Sequence, residues 1–111
     1  MTVTIEAIQA VSDEIAKLFS PEKILLFGSH AYGTPHEGSD VDILVILPFQ
    51  ERPFTKSLEI LRAINRPFGI DLLARTPEDT QKRYQEGDPL IRDVIDKGQI
   101  LYERHHTRMA S

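Results

Sequence analysis

The chain has 111 residues, 41% hydrophobic and 27% charged, with a formal net charge of −4 and no cysteine. This is the composition of an ordinary soluble globular protein of one domain, long enough to bury a core. The missing cysteines exclude disulfides and thiol chemistry, and the acidic balance argues against the basic face that a nucleic-acid backbone requires. The opening MTVTIEAIQA has no basic region followed by an apolar one, and no apolar run approaches membrane-spanning length. A soluble, cytoplasmic protein with no membrane or nucleic-acid partner is expected.

Taken in order, residues 4–19 set Ile5, Ile8, Val11, Ile15, Leu18 and Phe19 close to helical spacing. Thr4 suits the N-cap, Glu6 the first turn, and Ser20-Pro21 the end. Lys23 to Phe27 is a strand apolar at all but its first position, hence buried on both faces. Residues 29–39 form a loop, with one helical turn over Ser29 to Tyr32 stopped by Gly33. Val41 to Leu47 is the second strand. Phe54 to Asn65 is a helix with Leu58, Leu61 and Ile64 on one side, ended by Arg66-Pro67. Gly69 to Ala74 is a third strand, its apolar run interrupted by Asp71. Thr76-Pro77-Glu78-Asp79 opens a charged helix that runs to about Glu86, before Gly87. Asp88-Pro89 repeats that logic for a helix whose buried stripe is Leu90, Ile91, Val94 and Ile95, ending at Gly98. Gln99 to Tyr102 reads as a short edge strand. The domain is thus expected over 1–104, with His105 to Ser111 a frayed polar tail whose His105 and His106 are solvated rather than metal ligands.

The chemistry concentrates between Gly28 and Ile46. A Gly28-Ser29 turn leaves the first strand, and Asp40 and Asp42 open the second. Side chains alternate along a strand, so these two carboxylates share a face. Aspartate is depleted in strands, and a pair of them at the head of an apolar run calls for a reason. A hard divalent cation supplies one, because magnesium is held by one or two carboxylates together with substrate phosphate oxygens. A turn with exposed N–H groups and a hydroxyl suits those phosphates. Either half alone is weak, since Gly-Ser is a common turn pair and Ser-Asp a common cap. From average residue usage the joint pattern arises in about one chain in a thousand of this length.

Gly28-Ser29 and Asp40-Val41-Asp42, with the flanking KILLFGS and SDVDILVIL, resemble the signature of the polymerase-β-type nucleotidyltransferases. The likeness is greatest to their minimal nucleotidyltransferase (MNT) branch, which includes MntA-type antitoxins. It runs from the first helix to the closing ILYE, and it departs at His30, where relatives often carry arginine. The resemblance implies an α+β fold with a mixed sheet, core order 1-2-3, and helices mainly on one face. It implies two Mg2+ ions, with Mn2+ as a substitute, held by Asp40 and Asp42. Asp71 would hold the catalytic ion and help deprotonate the acceptor hydroxyl. Gly28 and Ser29, with Asp40 and Asp42, would bind the nucleotide, ATP being the substrate. The partner implied is a helical HEPN ribonuclease toxin bearing an acceptor tyrosine, in a homo- or hetero-oligomer.

Topology brings these residues together independently of the family. The crossover between strands two and three is long enough for a parallel pair, which puts Asp40, Asp42 and Asp71 at one edge. A first strand antiparallel to the second delivers Gly28 and Ser29 to the same edge. Three close carboxylates repel, so at least one pKa should rise in the metal-free site. Tyr32 is assigned to the core and His36 to solvent. Three readings stand: an enzyme that moves AMP to a partner's hydroxyl, a silent module that neutralises its partner by contact, and a small-molecule nucleotidyltransferase. The last usually needs a second domain for its acceptor, for which 111 residues leave no room.

Overall fold

The structure, a computed structural model, describes residues 3–36 and 38–104. Among these the elements are α1 (Ile5–Phe19), β1 (Lys23–Phe27), α2 (Ser29–Tyr32), β2 (Val41–Ile46), α3 (Pro53–Ala63), β3 (Ile70–Arg75), α4 (Pro77–Gln85), α5 (Pro89–Lys97) and β4 (Gln99–Glu103). The expected tail over His105 to Ser111 lies outside the described residues.

Local chemistry sets the helix ends. Thr4 Oγ1 accepts the Ala7 N–H at 3.1 Å, and Thr76 Oγ1 accepts the Asp79 N–H at 3.1 Å. Asp88 Oδ1 takes both the Leu90 and Ile91 N–H groups. Each cap satisfies donors that a helix leaves orphaned in its first turn.

The sheet order is β3-β2-β1-β4. β1 runs antiparallel to both β2 and β4, whereas β2 and β3 are parallel, joined through α3. The expected 1-2-3 core and the edge position of β4 are both present. β2 is the central strand, and Val41, Ile43, Leu44 and Val45 are fully buried on its two faces. That fixes its register, because a one-residue slip would exchange every side chain between faces.

The helices divide between the faces. α1 and α3 cover Ile24, Leu26, Ile43, Val45 and Leu72, which form the larger core. α5, through Ile91 and Val94, covers Leu25, Phe27, Leu44 and Ile46 on the other face, with Tyr84 of α4 beside it. One-sided packing therefore describes the larger core and not the whole sheet. The continuous apolar runs of β1 and β2 need cover on both sides.

α3 differs from its sequence reading. Its buried positions are Ser57 and Ile60, with Ile64 beyond its end, while Leu58 and Leu61 are only half-buried and Phe54 is 72% exposed. The helix is rotated so that Ser57 Oγ can accept the Ala74 N–H at 3.0 Å while donating to Pro53 O. A buried backbone donor on an edge strand must find an acceptor, and that need turns the helix.

The other buried hydroxyl on this face has no such role. Ser12 of α1 is fully buried and its Oγ has no hydrogen-bond partner. An unsatisfied buried hydroxyl costs about 1–3 kcal/mol, and alanine has the higher helix propensity. Ser12→Ala should therefore raise the unfolding free energy by about 1 kcal/mol in a urea melt. A loss of that size would mean that the hydroxyl is bonded in solution.

Candidate active site

The acids converge at one end of the sheet. Parallel pairing sets Asp42 of β2 in register with Asp71 of β3, and antiparallel pairing sets Phe27 of β1 opposite Asp42. Side chains in register on neighbouring strands share a face, so Asp42 and Asp71 project together. Asp40, two residues before Asp42, projects to the same side. That side is the one covered farther along the strands by α5, through Leu44 and Ile46.

The electrostatics follow from this crowding. The Asp42 carboxyl is pushed above its ordinary value, first by burial, then by the charge of Asp71, by a hydrogen bond with Asp71, and by Asp40. Asp42 and Asp71 therefore crowd each other across the paired strands. The nearby His30 acts in the opposite sense. Its ring is tied to the loop, with Nε2 3.3 Å from Ser39 O.

Two glycines make room for this arrangement. Gly28 caps α2 with φ +74°, a conformation that favours glycine, and a Cβ there would overlap Asp42 Oδ2. At Gly69, ahead of β3, a Cβ would overlap Asp40 Oδ1. Gly28 O accepts the Ala31 and Tyr32 N–H groups at 3.0 and 3.1 Å, closing the turn that presents Ser29 and His30.

All five residues expected in the site, Gly28, Ser29, Asp40, Asp42 and Asp71, thus lie at this end of the sheet. Gly69 and His30 join them and were not assigned roles from sequence. The available signal for Gly69 was a glycine directly before a strand, which often marks close approach of another group. Tyr32, expected in the core, is 45% exposed, and its hydroxyl lies 3.4 Å from Asp93 Oδ2 of α5. Its short helix ends at Gly33 before the ring can reach either apolar cluster.

Among the described residues, no group of three or more His, Cys, Asp and Glu side chains is gathered closely enough to hold a metal ion. The convergent donors are the crowded pair Asp42 and Asp71, with Asp40 beside it. Hard carboxylate oxygens on a half-open surface, needing other oxygens to complete a coordination shell, fit magnesium bound together with a phosphate chain. A cavity of about 620 Å³ lies at the opposite end of the sheet, bordered by Lys23, Ile46, Tyr84 and Arg104, and includes none of the three aspartates. A groove of about 470 Å³ between α3 and β3 does reach the site, because Asp71 lines it.

The fold is that of a nucleotide-transfer domain. The nucleotidyltransferase domain family matches residues 8–102, and the chain belongs to that family. A protein of Methanocaldococcus jannaschii, provisionally named a protein adenylyltransferase, is 34% identical over 85 residues, which is 73% of this chain. The chain spans 58% of that protein's length. A crystal structure from Sulfolobus solfataricus, provisionally described as a nucleotidyltransferase, superposes with a TM-score of 0.61 at 21% identity, covering 87% of this chain and 78% of the other. A toxin–antitoxin crystal structure with AMP-PNP gives 0.59 at 19% identity, covering 88% and 75%. Among the described residues no helix is long and apolar enough to cross a membrane.

The raised Asp42 carboxyl has a signed consequence for stability. Well below the ordinary value of 3.8, folded and unfolded chains both hold the proton and Asp42 contributes nothing. As the pH rises past it, the unfolded chain releases its proton first, so the folded state loses stability until Asp42 has ionised as well. Urea melts of the metal-free wild type and of Asp42→Asn should diverge with rising pH, the variant becoming relatively more stable. A gap that stays constant between pH 4 and neutrality would mean that Asp42 is not crowded.

Proposed function

We propose that the chain is a magnesium-dependent protein adenylyltransferase that serves as an antitoxin. It moves AMP from ATP to a tyrosine hydroxyl of a HEPN-type ribonuclease toxin. The observation that carries the chemistry is the crowding of Asp42 against Asp71 on paired strands, beside the bare Cα of Gly28. Carboxylates held this close are unfavourable without a cation, and a cation reverses the preference by stabilising both ionised forms. The adenylyltransferase name of the Methanocaldococcus relative and the fold shared with a toxin–antitoxin protein support the protein acceptor and the toxin partner.

Each residue has a task. Asp40 and Asp42 would hold two magnesium ions and Asp71 the one beside the acceptor. Bound there, magnesium would offset the charge of the triphosphate and favour the ionised acceptor oxygen. Gly28 admits the phosphate chain close to the backbone, and Ser29 offers its hydroxyl and N–H. Asp71 takes the proton from the tyrosine hydroxyl. The tyrosine oxygen then bonds to the α-phosphorus as the bond from that phosphorus to the α–β bridging oxygen breaks. Pyrophosphate leaves with the bridging oxygen, and AMP remains as a phosphodiester. On the toxin, the added negative charge and bulk would oppose RNA phosphates.

Two measurements test this reading. Magnesium with ATP near 100 times its dissociation constant should stabilise the protein by about 2.7 kcal/mol, and ATP with EDTA by much less. Co-expression should yield a toxin heavier by one or more AMP units and inactive on RNA. With both Asp40→Asn and Asp42→Asn, the toxin should remain unmodified and harm its host. Full protection by that double variant would instead assign neutralisation to contact alone, with the domain a silent binding module.

A further inference from the structure

The apolar surface of α3 and the open edge of β3 have no role in the nucleotide chemistry, yet they meet at the acids. The groove of about 470 Å³ has Phe54, Leu58 and Leu61 on its helical wall and Ile70 and Leu73 on its strand wall, with Asp71 among its lining residues. Resting on the transferase reading, we propose that this groove docks the acceptor protein. Its occupant is a toxin segment with apolar anchors and net negative charge that leads the acceptor hydroxyl to Asp71.

The rotation of α3 is the first support. An amphipathic helix ordinarily turns its largest apolar side chains to the core. Here Ser57 and Ile60 are buried instead, leaving Phe54 72% exposed and Leu58 and Leu61 at the groove. A second hollow of about 550 Å³ on the outer side of α3 shares Phe54 and Leu58, so the apolar surface continues around the helix. An exposed aromatic residue joined to a contiguous apolar surface beside polar side chains is the pattern of a protein contact.

The strand edge is the second support. In β3 the carbonyls of Gly69 and Arg75 accept from β2, so the backbone groups of the even-numbered residues point outward. Ser57 Oγ occupies the outward N–H of Ala74 and closes that end. Those of Ile70 and Leu72, on either side of Asp71, are directed to the groove, where an extended backbone could pair with them.

Charge identifies the occupant. The whole chain carries 13 Lys and Arg against 17 Asp and Glu, but residues 51–66 carry four basic residues against two acidic ones. Lys56 is paired with Glu51 and Glu59, at 3.6 and 3.2 Å. Arg52, Arg62 and Arg66 are exposed around the apolar surface. An acidic segment complements that rim, whereas three arginines on an acidic protein make a poor footprint for a phosphate backbone.

The probe is the purified HEPN-type toxin chain, titrated without ATP against wild type, Phe54→Asp and Arg62→Glu. Both residues are exposed, so the variants should fold and keep the full magnesium–ATP stabilisation. Phe54→Asp should weaken toxin binding about tenfold or more, as loss of an interface anchor does. Arg62→Glu should weaken it about threefold, and rising salt should weaken the wild-type complex. Unchanged affinity in both variants overturns the proposal, as does a wild type that does not bind the toxin. So does a wild-type dimer that Phe54→Asp dissociates, or single-stranded RNA whose binding Phe54→Asp abolishes, since either assigns the groove to another occupant. A toxin that binds, is lost on Phe54→Asp and yet receives no AMP from wild type leaves the groove standing and removes the transferase reading.

Discussion

Two carboxyl groups crowded together on paired strands are the constraint on which the rest of the site depends. Asp42 and Asp71 are held together by strand register rather than by attraction. Neither can retreat easily, because each follows directly on a buried or half-buried apolar position and precedes another. On β2 the neighbours Val41 and Ile43 are fully buried, so moving Asp42 would mean moving the core of the sheet. The hydrophobic effect thus maintains an electrostatic arrangement that is unfavourable on its own. Strain of this kind is a recognised mark of functional sites, and a bound cation relieves it.

The surroundings are shaped to keep those oxygens reachable. Gly28 and Gly69 each lack the side-chain atom that would strike a carboxylate. α5 covers the acid-bearing face only over the far part of the strands, where Leu44 and Ile46 lie, and α1 and α3 cover the opposite face. The half-open end between them gives a phosphate chain access from the Gly28 turn. Asp71 has a second approach, along the edge of β3. On the proposed reading, nucleotide and acceptor would meet the acids from different directions, as an in-line displacement requires.

Much of this is legible in the sequence because the strongest signals are local. Continuous apolar runs mark β1 and β2, threonine and aspartate followed by proline mark the starts of α4 and α5, and alternation puts Asp40 and Asp42 on one face. Topology follows from loop lengths, and with it the meeting of Gly28, Asp42 and Asp71. What escapes is set by contacts distant in the chain. The rotation of α3 depends on the Ala74 N–H, seventeen positions from Ser57. The spacing of Leu58, Leu61 and Ile64 therefore suggested a stripe that the folded helix does not bury as a unit. Tyr32 looked like a core residue by type, but its helix is too short and too near the surface. Gly69 is an ordinary strand-leading glycine until Asp40 is seen against it.

The central claim is that the end of the sheet, and not the larger cavity at its opposite end, binds metal and triphosphate together. Anomalous diffraction from crystals grown with manganese and a non-hydrolysable ATP analogue addresses it directly. Manganese is expected within about 2.0–2.4 Å of carboxylate oxygens of Asp42 and Asp71, with phosphate oxygens completing the shell beside Gly28 and Ser29. Nucleotide seated in the cavity bordered by Lys23 and Arg104, or an anomalous signal absent from the three aspartates while nucleotide is bound, would contradict it.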